Sequence, residues 1–334
     1  MITVKDVASV ARVSPMTVSR VINNNPKVNP EMRRRVLAAI DELGYVPNSS
    51  ASKLRNQKSG LLTVGVVLRD SANPFSAELQ RSIEDELRDV NSLALISSSD
   101  DEVERAEFLL EAMRGHRVDG IILAPPPGPQ LYLVPHVERR FPIVLVDRPA
   151  DGVDVPYVAS ANFEGMVGAV KHLAAGKHRR IAYLGDLNSE PMQARYRGFL
   201  AGLKESGIAS DEALHLLDVN NELESQRVVL QLLDSDSPPT AFIGGRNNIS
   251  IGILSGLHAA GKQNSVAHMG FDDLLLADSL DPGFTAVVQK PSEIGRLATK
   301  TLLSLITGET RKADSVVVPT QLIARGSGEI PPHA

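Results

Sequence analysis

The sequence predicts a multidomain protein: an all-α helix-turn-helix head joined to a larger α/β core of two parallel-sheet lobes. Three observations carry that expectation. The first 46 residues show apolar residues at helical spacing only, in three short segments. From Leu61 the pattern switches to short apolar runs alternating with amphipathic helices. Charge divides at nearly the same place. Residues 1–58 hold ten Lys/Arg against four Asp/Glu, a net of +6, while the whole chain carries −5, which leaves −11 on the remainder.

In the head, Val4, Val7, Ala8 and Ala11 give the first helix one buried stripe. Thr3 caps it, with Asp6 three residues on in capping-box position. Ser14 caps the second helix, and Pro15 falls in its first turn, where a missing N–H does no harm. Val18, Val21 and Ile22 form the inner face of that helix. A loop over 23–26 follows. Asn29-Pro30-Glu31 opens the third helix, which runs through Val36, Leu37, Ile40 and Leu43 and stops at Gly44. Tyr45 to Gly60 is polar, and Pro47 breaks it. Residues 50–55 have the composition for a turn or two of helix, unstable without a packing partner. The alternative reading of this stretch is a flexible linker.

The core reads as two series of strand and helix. Strands are expected at 62–68, 94–97, 120–124 and 143–147, with helices at 76–90, 103–114 and 130–140 between them. The second series has strands at 158–161, 181–185, 214–219, 241–245 and 266–270, and helices at 163–175, 192–206, 223–234 and 248–260. A strand at 285–289, a helix at 291–307, a strand at 315–318 and a polar tail complete the chain. Such alternation implies parallel sheets flanked by helices, with any ligand held at the carboxyl ends of the strands, between the lobes. The domains expected are a head over 1–46, a linker over 47–60 and a core over 61–334. Lobe one takes about 61–160 plus 290–318, and lobe two about 161–289 plus the C-terminal segment.

Several function classes are disfavoured. The chain has no cysteine, so disulfides, thiolate metal sites and a cysteine nucleophile are excluded. No window of about 18 consecutive apolar residues exists, so no membrane span is expected. The N-terminus has no secretory leader pattern, which favours the cytoplasm. No glycine-rich nucleotide loop or nucleophile elbow stands at a strand end, and the eight histidines show no metal-ligand pairing. No enzyme activity, cofactor or metal is expected. An RNA-binding module is disfavoured too, since Tyr45 is the head's only aromatic residue.

What remains is the chemistry of the second helix. Opposite its apolar stripe it can present Met16, Thr17 and Arg20 to base edges in a major groove, with Ser14, Ser19 and Asn23 at phosphates. A plain three-helix bundle has the same stripe but does not require Thr-x-x-Arg outward beside a basic surface.

The stretches Val4-Lys5-Asp6-Val7-Ala8, Val13-Ser14-Pro15-Met16-Thr17-Val18-Ser19-Arg20-Val21-Ile22-Asn23 and Leu43-Gly44-Tyr45-Val46-Pro47-Asn48 resemble the head of the lactose-repressor (LacI/GalR) family. Arg12 departs from that pattern, which usually has glycine in the bend. The core resembles the same family over nearly its full length, at Asn73-Pro74-Phe75, Val118-Asp119-Gly120-Ile121-Ile122, Arg195-Tyr196-Arg197-Gly198-Phe199 and Gly270-Phe271-Asp272-Asp273, among others. The resemblance implies a fold shared with periplasmic sugar-binding proteins and a homodimer whose lobes close on an effector. It also implies double-stranded operator DNA as partner, with a hinge helix at 50–56 whose Leu54 wedges into the minor groove. The DNA-contacting set carried over is Thr3, Ser14, Pro15, Met16, Thr17, Ser19, Arg20, Asn23, Asn48, Ala51, Leu54 and Arg55. The effector set is Asp70 or Phe75, then Asp147, Arg195, Arg246 and Asp272, which suits a sugar, sugar phosphate or related polyol. Two simpler readings stand beside it: Asp272 as a helix cap near Leu274, and Arg195 in a surface ion pair. Arg246-Asn247 departs from the Asn-Asp usual there, and a further arginine facing the cleft would favour an anionic ligand. The rival for the core is a solute-binding protein of the periplasmic class, without DNA function.

Overall fold

A computed structural model describes residues 2–22, 25–45 and 61–332. The chain divides into two compact units, Met1–Leu61 and Leu62–Ala334.

The smaller unit holds three helices: α1 (Val4–Ala11), α2 (Pro15–Ile22) and α3 (Pro30–Leu43). Val7, Ala8, Ala11, Val18, Val21, Val36, Ala39 and Tyr45 make its core. Leu37 does not join them. It is 52% exposed, and Ala39 takes the inward position, so α3 presents a narrower stripe than the spacing of its large residues suggests. At the start of α1 the Thr3 N–H and hydroxyl both donate to the Asp6 carboxylate at 2.7 Å. Ser14 caps α2 by accepting from the Thr17 N–H. Gly44 ends α3 at φ 57°, with its N–H on the Asp41 and Ile40 carbonyls. Arg35 reaches across to donate to the Ala11 and Arg12 carbonyls, placing a cation on the carbonyl end of α1.

Arg12, in the bend between α1 and α2, sits at φ 52°, ψ 49°. A left-handed backbone costs an ordinary residue roughly 1–2 kcal/mol, and glycine almost nothing. Glycine gives back about 0.5–1 kcal/mol through its freer unfolded chain. Arg12→Gly is therefore expected to stabilise the head by about 0.5 kcal/mol. Roughly twofold greater hydrogen-exchange protection of the α1 and α2 amides, measured in the full chain, checks this; lower protection contradicts it.

The larger unit contains two six-stranded sheets. The first series comprises β1 (Thr63–Leu68), α4 (Pro74–Asp89), β2 (Leu93–Ser98), α5 (Val103–Gly115), β3 (Gly120–Leu123), α6 (Val134–Glu138), β4 (Ile143–Val146) and β5 (Tyr157–Ser160). The second comprises α7 (Asn162–Ala175), β6 (Ile181–Leu184), α8 (Glu190–Glu205), β7 (His215–Leu216), α9 (Glu222–Leu233), β8 (Ala241–Gly244), α10 (Asn247–Ala259), β9 (Ala267–Phe271) and β10 (Thr285–Val288). The chain then returns through α11 (Pro291–Thr307) to β11 (Val316–Val318) and ends with β12 (Gln321–Ile323). Sheet one runs β11-β5-β4-β3-β1-β2, all parallel. Sheet two runs β12-β10-β9-β8-β6-β7, parallel except for β12. The backbone thus passes between sheets three times, after β5, after β10 and after β11.

Three expectations change. The tail is not irregular: β12 pairs antiparallel with β10, Ala286 opposite Ile323, and so protects an edge of sheet two. The strand expected at 214–219 shrinks to two residues at the other edge. The helix expected at 130–140 becomes a 3₁₀ turn, Leu131–Leu133, and a five-residue helix ending before Arg140, whose φ of 55° breaks the run.

Alternate strand residues feed opposite layers. Val64, Val66 and Leu68 pack under α4 and α11, while Val67 points to Leu110 and Met113 of α5. In lobe two, Ile181 and Tyr183 face α7 and α8, and Ala182 and Leu184 face α9 and α10. With both faces covered, the strands must be apolar almost throughout, as their sequences are.

His268 of β9 is an exception in the lobe-two core. It is 1% exposed, neither ring nitrogen has a hydrogen-bond partner among the described residues, and its ring lies 5.0 Å from Phe284. Burial, with a smaller push from His258, lowers its pKa from 6.5 to about 3. The unfolded chain takes up a proton below about pH 6.5 that the folded chain refuses until about pH 3. Stability therefore falls with pH across that window, at most about 1.4 kcal/mol per unit. His268→Leu should remove this slope. Urea unfolding at pH 6.5 and 5.0 should show an acid-induced loss smaller by about 1–2 kcal/mol in the variant; an unchanged loss contradicts the assignment.

Candidate functional site

Two surfaces gather the residues singled out by sequence. The first lies on the head. Ser14, Pro15, Met16 and Arg20 are exposed, and Thr17 and Ser19 are half-buried. Met16 stands 59% exposed, although apolar, at the front of α2. The Ser14 and Thr17 hydroxyls lie 3.0 Å apart and fix one another's orientation. Arg20 has no ion-pair partner among the described residues. On the far side Val18 and Val21 anchor the helix, so its front turns point outward on a rigid support. Thr3 is exposed, with its hydroxyl committed to Asp6. Asn23, Asn48, Ala51, Leu54 and Arg55, and with them the expected hinge helix, lie outside the described residues.

The second surface is a cleft between the two sheets. Its lobe-one wall is made by Leu68, Arg69, Asn73, Phe75, Ser76, Leu79, Ala124, Asp147 and Arg148. Its lobe-two wall is made by Ser189, Pro191, Met192, Arg195, Arg246, Asn247 and Asp272, with Gln289 at a crossover. Many of these follow the carboxyl end of a strand: Arg69 after β1, Asp147 and Arg148 after β4, Arg246 after β8, Asp272 after β9 and Gln289 after β10. That is where parallel sheets present their loops to a ligand.

The structure brings Phe75, Asp147, Arg195, Arg246 and Asp272 together here. It does not bring Asp70. That carboxylate accepts from the Ala72 N–H at 2.8 Å, stabilising the turn before α4, and Arg69 takes the wall position instead. Arg195 is not in a surface ion pair. It is 3% exposed, lies 3.8 Å over the Phe271 ring, and donates to Asn162 Oδ1 and the Gly245 carbonyl at 2.8 Å each. Its guanidinium is 3.7 Å from Asp272. Asp272 caps no helix; the Leu274 N–H goes to Asp273 at 2.9 Å. The Asp272 backbone is left-handed, φ 73°, as is that of Asp147. Gln289 donates to its carboxylate at 2.6 Å. Burial pushes the Asp272 carboxyl above the usual range, against the pull of Arg195 and Gln289.

Sequence reasoning missed Arg69, Arg148 and Gln289. Arg148 is 5% exposed and grips Asp147 through two nitrogens at 3.0 Å. Gln289 is 6% exposed and its Oε1 has no partner among the described residues. A signal existed for all three, since each directly ends or follows an expected strand. Among the described residues no group of three or more His, Asp or Glu is placed to hold a metal, and no helix is long and apolar enough to cross a membrane.

Comparison with known proteins gives consistent findings. Residues 3–48 match the family model for bacterial regulatory proteins, lacI family, and residues 61–326 match that for periplasmic binding proteins and sugar binding domain of LacI family. The chain is similar to catabolite control protein A of Priestia megaterium, 32% identical over 98% of this chain and 99% of that protein. It is similar to the ribose operon repressor of Halalkalibacterium halodurans, 30% identical over 97% and 96%. Among solved structures, the transcriptional regulator CelR bound to cellobiose is 28% identical, with TM-score 0.72 over 98% of this chain and 100% of that one. The lac repressor dimer bound to operator and the anti-inducer ONPF is 24% identical with TM-score 0.83, over 98% and 99%, a likeness of fold.

Proposed function

The chain belongs to the LacI family of DNA-binding transcriptional regulators with a sugar-binding domain, and on that premise we propose that it is a homodimeric repressor whose operator affinity is set by a sugar-like effector in the cleft. The observation that carries the reading is the pairing of two surfaces in one chain. One is an outward α2 front with Met16 and Arg20 exposed and the Thr17 hydroxyl oriented by Ser14. The other is a buried polar cleft whose groups are incompletely satisfied. A solute-binding protein of the periplasmic class would have no use for the first.

In this reading Arg20 and Thr17 contact base edges, and Ser14, Ser19, Thr3 and Asn23 contact phosphates, with Pro15 and Met16 packed against the groove. Asn48, Ala51, Leu54 and Arg55 serve the hinge, where Leu54 is the minor-groove wedge. The domains of use are 1–46, 47–60 and 61–334. In the cleft Asp147 and Asp272 accept from effector hydroxyls, Arg195 donates, and Phe75 covers an apolar edge. A protein of this kind works beside DNA, in the cytoplasm.

Exposed apolar residues support a dimer. Leu93 and Leu95 on edge strand β2 are 56% and 38% exposed, and Phe108 on α5 is 69% exposed. In lobe two, Leu223, Leu275 and Leu276 are 79%, 91% and 67% exposed. Such residues are expensive to leave in water, and a second copy would cover them. A two-fold dimer presents two heads to two half-sites. Selection of duplexes from a random pool by the purified protein tests the proposal. It should return a pseudo-palindrome bound by two chains. Enrichment of no sequence, or of a single half-site bound by one chain, contradicts it.

A further inference from the structure

Resting on the reading of the cleft as an effector site, we infer that the effector is a neutral polyhydroxyl compound and that phosphorylated or otherwise anionic compounds are rejected. The argument starts from the cleft's charges. Its walls contain four guanidinium groups, and each is already committed to a carboxylate. On the lobe-one side Arg69 lies 2.7 Å from Asp101, and Arg148 lies 3.0 Å from Asp147 and 3.6 Å from Asp101. On the lobe-two side Arg246 lies 2.6 Å from Asp186, and Arg195 lies 3.7 Å from Asp272. Each wall is therefore balanced by itself: two cations against two anions.

Arg246 decides the matter, because its place in the sequence suggested a free cation for an anionic ligand. Asp186 is 3% exposed, and among the described residues Arg246 is its ion-pair partner; the Asn188 N–H adds one hydrogen bond at 3.0 Å. Arg246 also donates to the Asn220 carbonyl at 3.1 Å, which holds it on its own lobe. Turning this guanidinium to a phosphate would strand a buried carboxylate, so the pair resists being opened. At the adjoining opening, Glu78 and Asp273 add two further carboxylates, and Asp273 already holds Arg325 at 2.8 Å.

The unsatisfied atoms point the same way. Gln289 Oε1 is a buried acceptor without a donor, while one terminal nitrogen of Arg148 and Nε of Arg246 are buried donors without an acceptor. A hydroxyl both donates and accepts, so a polyol can serve both kinds. A phosphate dianion only accepts, and it would bring like charge towards Asp147 and Asp272.

The test uses the full chain, with inorganic phosphate as probe against chloride at equal ionic strength, and reads the melting temperature. The wild-type protein is expected to show no saturable stabilisation by phosphate. Asp186→Asn frees the Arg246 guanidinium and should gain such stabilisation, and adding Arg246→Gln should remove it again. Saturable phosphate stabilisation of the wild-type protein that vanishes in Arg246→Gln overturns the inference, as does a folded Asp186→Asn variant indifferent to phosphate. If Asp186→Asn does not fold, matched pairs applied to the wild-type protein decide: D-ribose with ribose 5-phosphate, and D-glucose with glucose 6-phosphate. Stabilisation by a phosphorylated member alone overturns the inference, and stabilisation by a neutral member alone upholds it. Failure of the underlying cleft reading has a different signature, an effector response that survives Asp272→Ala.

Discussion

Asp272→Ala is expected to abolish the response of operator binding to effector while leaving effector-free operator affinity within about twofold. The carboxylate follows the end of β9, its backbone left-handed at φ 73°, with Gln289 donating to it at 2.6 Å and the Arg195 guanidinium 3.7 Å away as counter-charge. An effector hydroxyl bound there makes a hydrogen bond to a charged group, worth about 1.5–3 kcal/mol. Truncation also leaves the Arg195 guanidinium, itself 3% exposed, without its counter-charge. Two lost hydroxyl contacts would weaken effector binding by roughly 10²-fold or more. The head is a separate compact unit, so its residues are untouched by the substitution. Operator titration with and without effector checks this. A response equal to that of the wild-type protein clears Asp272 of the role; loss of operator binding itself would mark it as structural.

Arg20→Ala should weaken operator binding far more than non-specific binding. A bidentate arginine–guanine contact is worth about 1–3 kcal/mol of discrimination, and a dimer makes it twice. A fall of roughly 30-fold to about 10⁴-fold in specific affinity follows, against a few-fold on unrelated duplex. Arg20 is exposed and has no ion-pair partner among the described residues, so its removal leaves the packing of Val18 and Val21 intact. Equal losses on both duplexes would make it a phosphate contact instead.

Much of this architecture was legible because period and composition agree. The capping residues Thr3, Ser14 and Asn29 and the stop at Gly44 bracket the head helices, and the helix expected at 291–307 is α11. What failed depended on distant partners. Nothing local to 321–323 announces a strand; β12 exists because β10 offers an unpaired edge. Leu37 looks like core from its spacing, but α3 meets α1 and α2 along a line through Val36 and Ala39. In the cleft, carboxylates at strand ends were recognisable, and Asp147 and Asp272 converge there with Arg195 of α8. Of the alternatives Asp70 and Phe75, Phe75 lines the cleft and Asp70 does not. The acid serves its own turn, a local hydrogen bond invisible to a pattern of charges. Arg246 was read as an extra cation because Asp186, sixty residues earlier and at the end of another strand, could not be known to stand 2.6 Å away.

The most direct measurement is the operator dissociation constant of the full chain, titrated with and without a saturating effector that stabilises the core. If the cleft steers the head, that constant should change by about 5- to 150-fold, and operator should change effector affinity by the same factor. Identical constants in the two titrations, with the effector demonstrably bound, would contradict it.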